Sequence, residues 1–426
     1  MDRHYKLFCR ECGAIFDDDG ISLKCTADHQ PGLLITRYAS EKFEPDPTAG
    51  GFYRYRNWLP VVRKFSQTGS PVAYQSKSLC KLTKLSNLWI SFNGYWEERG
   101  CALRTGTFKE LEAYAVLSRL APENSGVIVV ASAGNTAAAF ADVCSLNTIP
   151  CLIIIPEIAL ERLQYDHPMA GCVKVVSLTG KSDYNDAIYL SDRISGKPGF
   201  FPEGGVRNVA RRDGLGTPLL NAVEAIGRLP DYYFQAVGSG TGGIAVHEAA
   251  TRLLKDGRFG EKYPRLMLSQ NLPFTPLYFS WKLQRRTLLR LRQAEEKYFV
   301  RQVMSSVLSN RNPPYSISGG VFDVLTESKG DMLVAENAEV KYAADLFLEH
   351  EGIDIEPASA VAFATLIKAA TYRLIEPEAV VLLNITGGGW LSRKANIRLR
   401  QVTPDLEISQ SQLRRLETID KVISLF

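Results

Sequence analysis

Residues Gly126 to Ala139 read GVIVVASAGNTAAA, and this stretch decides the fold class. It joins a continuous apolar strand to a polar loop and then to an alanine-rich helix. Two later stretches repeat the apolar run, PCLIIIP at 150–156 and YYFQAVGSGTGG at 232–243. Strands that are apolar throughout, and that alternate with helices, are typical of a parallel sheet covered on both faces. The sequence therefore predicts an α/β, doubly wound architecture.

The composition is that of an ordinary globular protein. Of the 426 residues, 45% are hydrophobic and 23% are charged, which argues against disorder and leaves room for two domains. The formal net charge of +4 is small for this length, so we expect no nucleic-acid partner. The charge-free stretch 124–141 contains Ser, Gly and Asn and makes a poor membrane span. The acidic N-terminus shows no secretory signal, so we expect a cytoplasmic protein without a membrane partner.

Three of the eight cysteines, Cys9, Cys12 and Cys25, lie close to the N-terminus. A Cys-x-x-Cys-Gly turn followed by a hairpin is half of a zinc ribbon. After Cys25 the chain offers Asp28 and His29 where a second cysteine is expected, so either residue could be the fourth ligand of a zinc site. The alternative is a structural vestige without metal, because a stable structural zinc site normally has four ligands. The sequence leaves both interpretations open.

The phrase Thr105-Gly-Thr-Phe-Lys109 predicts a lysine in the first turn of a helix. At that end of a helix the dipole disfavours the charged amine and lowers its pKa. A partly neutral amine suits Schiff-base chemistry, which makes Lys109 a candidate catalytic residue. Taken alone, a lysine in such a phrase is more often an ordinary solvated side chain.

Two loops that follow predicted strands are candidate anion sites. The first, Ser132 to Thr136, opens a helix at the carboxyl end of a parallel strand, where unpaired backbone N–H groups bind carboxylates and phosphates. A simple helix cap would explain one of its polar residues but not the cluster. The second, Gly238 to Gly243, lets the backbone approach a phosphate closely and lacks the lysine of a Walker loop. It favours a single phosphate held by a cofactor.

The lysine phrase and the two loops, in this order along the chain, resemble the fold-type II pyridoxal-phosphate enzymes, in particular threonine synthase and its relatives. The phrases EPASA at 356–360 and ITGGG at 385–389 are similar to late motifs of the same family. The resemblance implies two doubly wound, parallel-sheet lobes of the tryptophan synthase β-like kind with pyridoxal 5′-phosphate between them, and it implies that Lys109 carries the cofactor. It further implies cofactor binding by Asn135, Gly238, Ser239, Gly240, Thr241, Gly242, Gly243 and Thr386, and substrate binding by Ser132, Ala133, Gly134 and Thr136.

Further phrases resemble one group within that family, the cysteate synthases. FNGYWEERG at 92–100, PEGGVRNVARR at 202–212 and QNLPF at 270–274 carry this similarity. Those enzymes make L-cysteate from O-phospho-L-serine and sulfite, in sulfonate and coenzyme M biosynthesis. The resemblance implies a transferase or lyase that replaces the phosphate on the β-carbon by sulfite, with Lys109 moving the α-proton.

Both of these substrates are anionic, so the enzyme must hold them in a cationic pocket. Arginine recognises phosphate and sulfonate groups with two hydrogen bonds. The candidate substrate ligands are Arg104, five residues before Lys109, and three arginines of the glycine-rich segment after residue 202, namely Arg207, Arg211 and Arg212. Of these three, Arg207 is favoured because it lies closest to the glycine pair 204–205. Each of them could equally be an ordinary surface residue.

Other activities remain open on the sequence. A threonine synthase would act on O-phosphohomoserine, and a β-replacement enzyme could use another nucleophile. A catalytically silent binding protein could keep the same fold. A catalytically silent protein would have no chemical need for all three of Lys109, Asn135 and the glycine-rich loop. Because the sequence keeps all three, it argues against this alternative.

The chain divides into four expected segments. They are a zinc-ribbon-like piece at 1–40, an arm at 41–85, a smaller α/β lobe at 86–200 and a larger cofactor-binding lobe at 201–426 with a C-terminal extension. Within the last segment we expect one long basic helix from Trp281 to Arg301 with a solvated face. The resemblance also implies a homo-oligomer, expected to be a dimer.

Overall fold

The computed structural model of the chain describes residues 3–66 and 68–426. Its strands are, in chain order, β1 (Tyr5–Cys9), β2 (Ile15–Phe16), β3 (Leu34–Tyr38), β4 (Val72–Gln75), β5 (Asn87–Phe92), β6 (Tyr95–Trp96), β7 (Cys101–Ala102), β8 (Val127–Ala131), β9 (Cys151–Pro156), β10 (Gln164–Tyr165), β11 (Val173–Thr179), β12 (Phe200–Pro202), β13 (Tyr232–Ala236), β14 (Arg265–Asn271), β15 (Asp331–Ala335), β16 (Val380–Ile385), β17 (Arg400–Gln401) and β18 (Leu406–Ser409).

The helices lie between these strands, and within the described residues every one of them is too short or too polar to traverse a lipid bilayer. They are α1 (Lys77–Thr83), α2 (Lys109–Arg119), α3 (Asn135–Leu146), α4 (Tyr184–Ser195), α5 (Val209–Ile226), α6 (Thr241–Asp256), α7 (Pro276–Lys282), α8 (Gln293–Val300), α9 (Val321–Glu327), α10 (Asn337–Glu351), α11 (Pro357–Thr371), α12 (Trp390–Asn396) and α13 (Leu416–Ile423).

A six-stranded sheet forms the larger layer, in the order β15-β14-β13-β16-β5-β4. Its strands are parallel except for β4, which runs antiparallel to β5 at the edge. All residues of β13 are buried, as a strand covered on both faces requires. Helix α11 packs against β13 and β16, and α2, α5 and α6 pack side by side.

A five-stranded, wholly parallel sheet forms the smaller layer, in the order β12-β8-β9-β11-β18. Its central strand β9 is buried along its whole length, because α3 and α4 both pack against it. One wholly parallel sheet and one that is parallel except for its edge strand confirm the predicted doubly wound α/β fold class. The last strand of this sheet, β18, comes from residues close to the C-terminus.

Two details differ from the sequence analysis. The strand Asn87–Phe92, expected in the smaller lobe, pairs with β16 in the larger sheet. The predicted basic helix from Trp281 to Arg301 is wrong: α7 ends at Lys282, and α8 begins only at Gln293. The intervening residues are mostly exposed, so no apolar face holds them against the core as a helix.

The N-terminal segment forms a small antiparallel sheet in the order β2-β1-β3. It is anchored to the main body by Arg119 at the end of α2, whose side chain is fully buried. The guanidinium donates two hydrogen bonds to the carboxylate of Asp18, at 2.9 and 2.6 Å. Asp18 also accepts a hydrogen bond from the Tyr5 hydroxyl. This buried ion pair joins the N-terminal sheet to the helix that begins at Lys109.

Candidate active site

The carboxyl ends of three parallel strands lead into one cavity of about 100 Å³. Strand β8 belongs to the smaller sheet, and β13 and β16 belong to the larger one. This edge is where α/β folds bind their ligands. The cavity brings together these residues predicted from the sequence: Lys109, Ser132, Ala133, Gly134, Asn135, Thr136, Gly238, Ser239, Gly240, Thr241, Gly242 and Thr386. Gly243 lies one residue deeper in α6, where a Cβ atom would stand 2.7 Å from the Leu268 side chain.

Segments that are far apart in sequence are joined at this cavity by backbone hydrogen bonds. The Phe108 N–H donates to the carbonyl of Thr386 at 2.9 Å. The Glu356 N–H donates to the carbonyl of Gly387 at 3.0 Å. These hydrogen bonds therefore join the lysine phrase, the EPASA phrase and the late glycine phrase to one another in the wall of the cavity.

Lys109 is the first residue of α2, and 20% of its side-chain surface is exposed to solvent. Its Nζ donates a hydrogen bond to the Glu112 carboxylate at 3.0 Å. Burial lowers the pKa of Lys109 below its ordinary value, and the charge of Arg211 acts in the same direction, although Glu112 opposes both. The amine is thus held in place by Glu112 and is easier to deprotonate than a solvated lysine.

Glu112 lies at the end of a chain of buried charges. Its carboxylate accepts from Thr136 Oγ1 at 2.8 Å and lies 3.1 Å from Arg211 Nε. Arg211 Nη1 in turn donates to Glu203 at 2.7 Å. Burial would lower the pKa of Arg211, but Glu112 and Glu203 outweigh it and raise the pKa, so the guanidinium stays charged. A single fixed cation therefore separates two buried carboxylates beside Lys109.

Asn135 and Thr386 are oriented by the same carboxylate. Glu356 accepts a hydrogen bond from Asn135 Nδ2 at 2.8 Å and another from Thr386 Oγ1 at 3.1 Å. The hydroxyl of Ser132 accepts from the backbone N–H groups of Gly134 and Ala137, both at 3.0 Å, and so caps the start of α3. The amide and the two hydroxyls are therefore held in fixed directions around the cavity.

The glycine-rich loop forms the start of α6, a helix of 16 residues. Gly240 has a φ of +83°, and a Cβ atom there would stand 2.2 Å from Val321 Cγ2, so glycine is required at this turn. The hydroxyls of Ser239 and Thr241 lie 2.8 Å apart at the same turn. Backbone N–H groups, two hydroxyls and the positive end of the helix dipole thus lie together at this turn, and these are the groups that phosphate sites in proteins use.

The residues of this cavity fit pyridoxal phosphate. Asn135 Oδ1 is buried and has no hydrogen-bond partner among the described residues. An unsatisfied amide oxygen in the wall of a cavity is what a bound ligand would explain. The start of α6 suits the phosphate of the cofactor, and the amine of Lys109 suits its aldehyde. Lys109, Asn135, Thr386 and residues 238–242 would therefore hold it.

Three of the four candidate arginines, Arg104, Arg207 and Arg212, do not line the inner cavity. Arg104 is paired with Asp142 and Asp166, at 3.2 and 2.6 Å, and does not line it. Arg207 is exposed and lines a larger outer cavity of about 1020 Å³. Arg211, from the same segment, lines both cavities. The outer and inner cavities thus adjoin at Arg211.

Sequence reasoning missed two acidic residues at the site, Glu112 and Glu203, and gave Glu356 no role. A signal existed for Glu112, because a residue three positions after Lys109 lies on the same face of a helix. No local signal existed for Glu203, which reaches the site only through its contact with Arg211. Cys9, Cys12 and Cys25 do not line either cavity.

A family model described as "Pyridoxal-phosphate dependent enzyme" matches residues 93–387. The chain is similar to curated proteins named cysteate synthase. It is 45% identical to the one from Methanocorpusculum labreanum, with 91% of this chain and 93% of that protein covered. It is 42% identical to the one from Methanosarcina mazei, with 96% and 98% covered.

Solved structures show the same fold at low sequence identity. The processed form of threonine deaminase isoform 2 from Solanum lycopersicum has a TM-score of 0.58 at 15% identity, with 84% of each chain covered. Maize serine racemase has a TM-score of 0.55 at 17% identity, with 76% of this chain and 92% of that chain covered. At these identities the likeness shows the fold alone.

Proposed function

This chain belongs to the pyridoxal-phosphate dependent enzymes and, among them, to the cysteate synthases, and from that premise we propose that it converts O-phospho-L-serine and sulfite to L-cysteate and phosphate. The β C–O bond of the substrate breaks, the phosphate group leaves with both electrons, and the sulfur of sulfite forms the new C–S bond. The cofactor is pyridoxal 5′-phosphate. Threonine synthase activity is not favoured, since the full-length relatives are named for the other reaction.

The observation that carries the proposal is the charge of the outer cavity. Four arginines line it against one carboxylate, that of Glu11. Arg211 and Arg286 are already paired with carboxylates of neighbouring segments, whereas Arg207 and Arg290 form no ion pair among the described residues and supply the free positive charge. Such a wall favours small anions and raises their local concentration next to the inner cavity. O-phosphoserine, sulfite and the departing phosphate are all anions of this kind.

We propose a role for each part of the inner cavity. Bound pyridoxal phosphate supplies the electron sink that makes the α-proton of the substrate removable. Lys109 removes that proton and later returns it, and Glu112 holds the amine in position. The start of α3, residues 132–136, binds the carboxylate of the amino acid. Arg211 binds the phosphate of the substrate where the two cavities meet.

The activity is tested by incubating the holoenzyme with O-phospho-L-serine and sulfite and following phosphate and L-cysteate. We expect equimolar release of both products, and no threonine from O-phosphohomoserine. Threonine from O-phosphohomoserine without cysteate from O-phosphoserine would refute the proposal. Replacing sulfite with sulfide or thiosulfate then tests whether another nucleophile is preferred.

Replacing Arg211 by methionine is expected to raise the KM for O-phosphoserine at least about tenfold, since a lost charge-assisted hydrogen bond costs about 1.5–3 kcal/mol. The change also leaves Glu112 and Glu203 facing an anionic substrate. Steady-state kinetics at fixed sulfite measures the effect. Arg398→Met, at an exposed position away from both cavities, is the matched control. A KM within twofold of the wild type would contradict this role.

Two expectations of the sequence analysis stay predictions. The first is a homodimer, which sedimentation velocity would test. The second is a cytoplasmic location, which cell fractionation would test.

A further inference from the structure

The N-terminal sheet carries a cluster of metal-ligating side chains that the proposed function does not use. Cys9, Cys12, Cys25 and His29 each direct one ligand atom into it, and these atoms all lie within 4.8 Å of one another. The Sγ atoms of Cys12 and Cys25 are 3.8 Å apart, and Cys9 Sγ is 3.5 Å from His29 Nε2. All three cysteines are free thiols.

We propose that these four side chains bind one zinc ion. Zinc–sulfur and zinc–nitrogen bonds of about 2.3 and 2.0 Å in a tetrahedron give edges of about 3.8 Å between two sulfurs and about 3.5 Å between sulfur and nitrogen. The two measured distances match those edges. Three thiolates and one imidazole are a ligand set that selects zinc. Asp28, the other fourth ligand considered, is not part of the cluster.

The local backbone positions the ligands for this purpose. The N–H of Cys9 donates a hydrogen bond to the carbonyl of Ala14, and the N–H of Gly13 donates one to the carbonyl of Cys9, both at 2.9 Å. These two bonds fold the Cys-x-x-Cys turn back on itself. His29 Nδ1 lies 2.6 Å from the carbonyl oxygen of Gln30. Since a carbonyl can only accept, Nδ1 carries the proton and Nε2 presents its lone pair to the cluster.

The ion would stabilise a sheet that has little core of its own. Among the described residues, the apolar cluster under the N-terminal sheet contains five buried ones, Tyr5, Leu7, Cys9, Leu34 and Val209. Small units of this size usually need a metal or disulfide as reinforcement. The ligand loops also reach the outer cavity, because Glu11, Gln30 and Pro31 form part of its wall. Zinc would therefore hold in place one side of the outer cavity, which we take as the entrance for the substrates. This role at the entrance rests on the proposed function, but the binding of zinc does not depend on it.

Metal content tests the binding. Elemental analysis of the holoenzyme, purified from zinc-supplemented medium, is expected to give about one zinc per chain. The variants Cys12→Ser and His29→Ala should contain little zinc. The control variant Cys172→Ser, whose cysteine lies outside the cluster, should contain as much zinc as the wild type. Less than about a tenth of an equivalent in the wild type, or full zinc in Cys12→Ser, would overturn the site.

Steady-state kinetics of the same variants test whether the loss of zinc weakens substrate binding at the outer cavity. Cys12→Ser is expected to raise the KM for O-phosphoserine about tenfold while kcat and the near-visible absorbance of the bound cofactor stay unchanged. An unchanged KM in a zinc-free variant would refute the entrance role and leave zinc binding intact. Loss of cofactor absorbance would also contradict it, because the effect would then reach the inner cavity. Lack of cysteate synthesis in the wild type would refute the proposed function only, since the zinc assay needs no activity.

Discussion

Lys109→Ala is expected to lower the rate of cysteate formation by about 10³-fold or more, because in the role we propose Lys109 both transfers the α-proton and attaches the cofactor. Lys109 is the one lysine that lines the inner cavity, among the residues that the structure describes. Neighbouring side chains do not replace it, since Glu112 and Arg211 are already engaged with each other. Product formation under saturating O-phosphoserine and sulfite measures the loss.

The absorption spectrum distinguishes this effect from unfolding. Wild-type holoenzyme should absorb in the near-visible region through the lysine-bound cofactor, and Lys109→Ala should lose that band while its far-ultraviolet circular dichroism is unchanged. Lys341→Ala is a matched control, because Lys341 is an exposed lysine paired only with Asp345 on the surface of α10. A Lys109→Ala variant that retained more than about a tenth of the activity would contradict the assignment of Lys109 as the catalytic base.

Asp18→Ala is expected to destabilise the protein by about 3–5 kcal/mol, because it leaves a buried arginine without its anion. Both side chains of the Asp18–Arg119 pair are fully buried. The matched control is Asp17→Ala, the adjacent aspartate, whose surface pair with Lys6 should contribute no more than about 1 kcal/mol. Urea unfolding at neutral pH measures both variants, and equal stability of the two would contradict the prediction.

The destabilisation by Asp18→Ala should depend on pH. Burial alone would raise the pKa of Asp18, but the hydrogen bonds and charge of Arg119 outweigh burial and hold the pKa below its ordinary value. A carboxyl group with a lowered pKa in the folded state stabilises the fold above its unfolded pKa, and this contribution disappears as the pH falls through the folded value. The difference between wild type and Asp18→Ala should therefore shrink below about pH 4. A difference that grew on acidification would refute the argument.

The local parts of the site could be read from the sequence because each part is a contiguous phrase. The loops 132–136 and 238–243 each combine a strand end, a helix start and polar groups within a few residues, and Lys109 is itself the first residue of a helix. Their chemistry depends on the local backbone, since helix starts present N–H groups wherever they occur. The structure adds that these three phrases line one cavity.

Arg104 illustrates what a local reading misjudges. Its position five residues before the lysine made it a candidate substrate ligand, yet its guanidinium pairs with Asp142 and Asp166. Those aspartates come from another helix and a later loop. The partner of a long charged side chain is decided by whichever carboxylates the fold brings near, so spacing along the chain does not identify it.

The sequence by itself determined the α/β fold class and the family, and it supplied the candidate catalytic lysine and the candidate phosphate loop, because hydrophobic periodicity and helix starts are properties of adjacent residues. Only the tertiary structure decided that Glu112, Arg211 and Glu203 form one charged chain beside Lys109, and that His29, not Asp28, joins the three cysteines. It also decided that β18 completes the smaller sheet. Each of these features is a contact between segments distant in sequence, and such contacts form only when the packing of the whole chain brings those segments together.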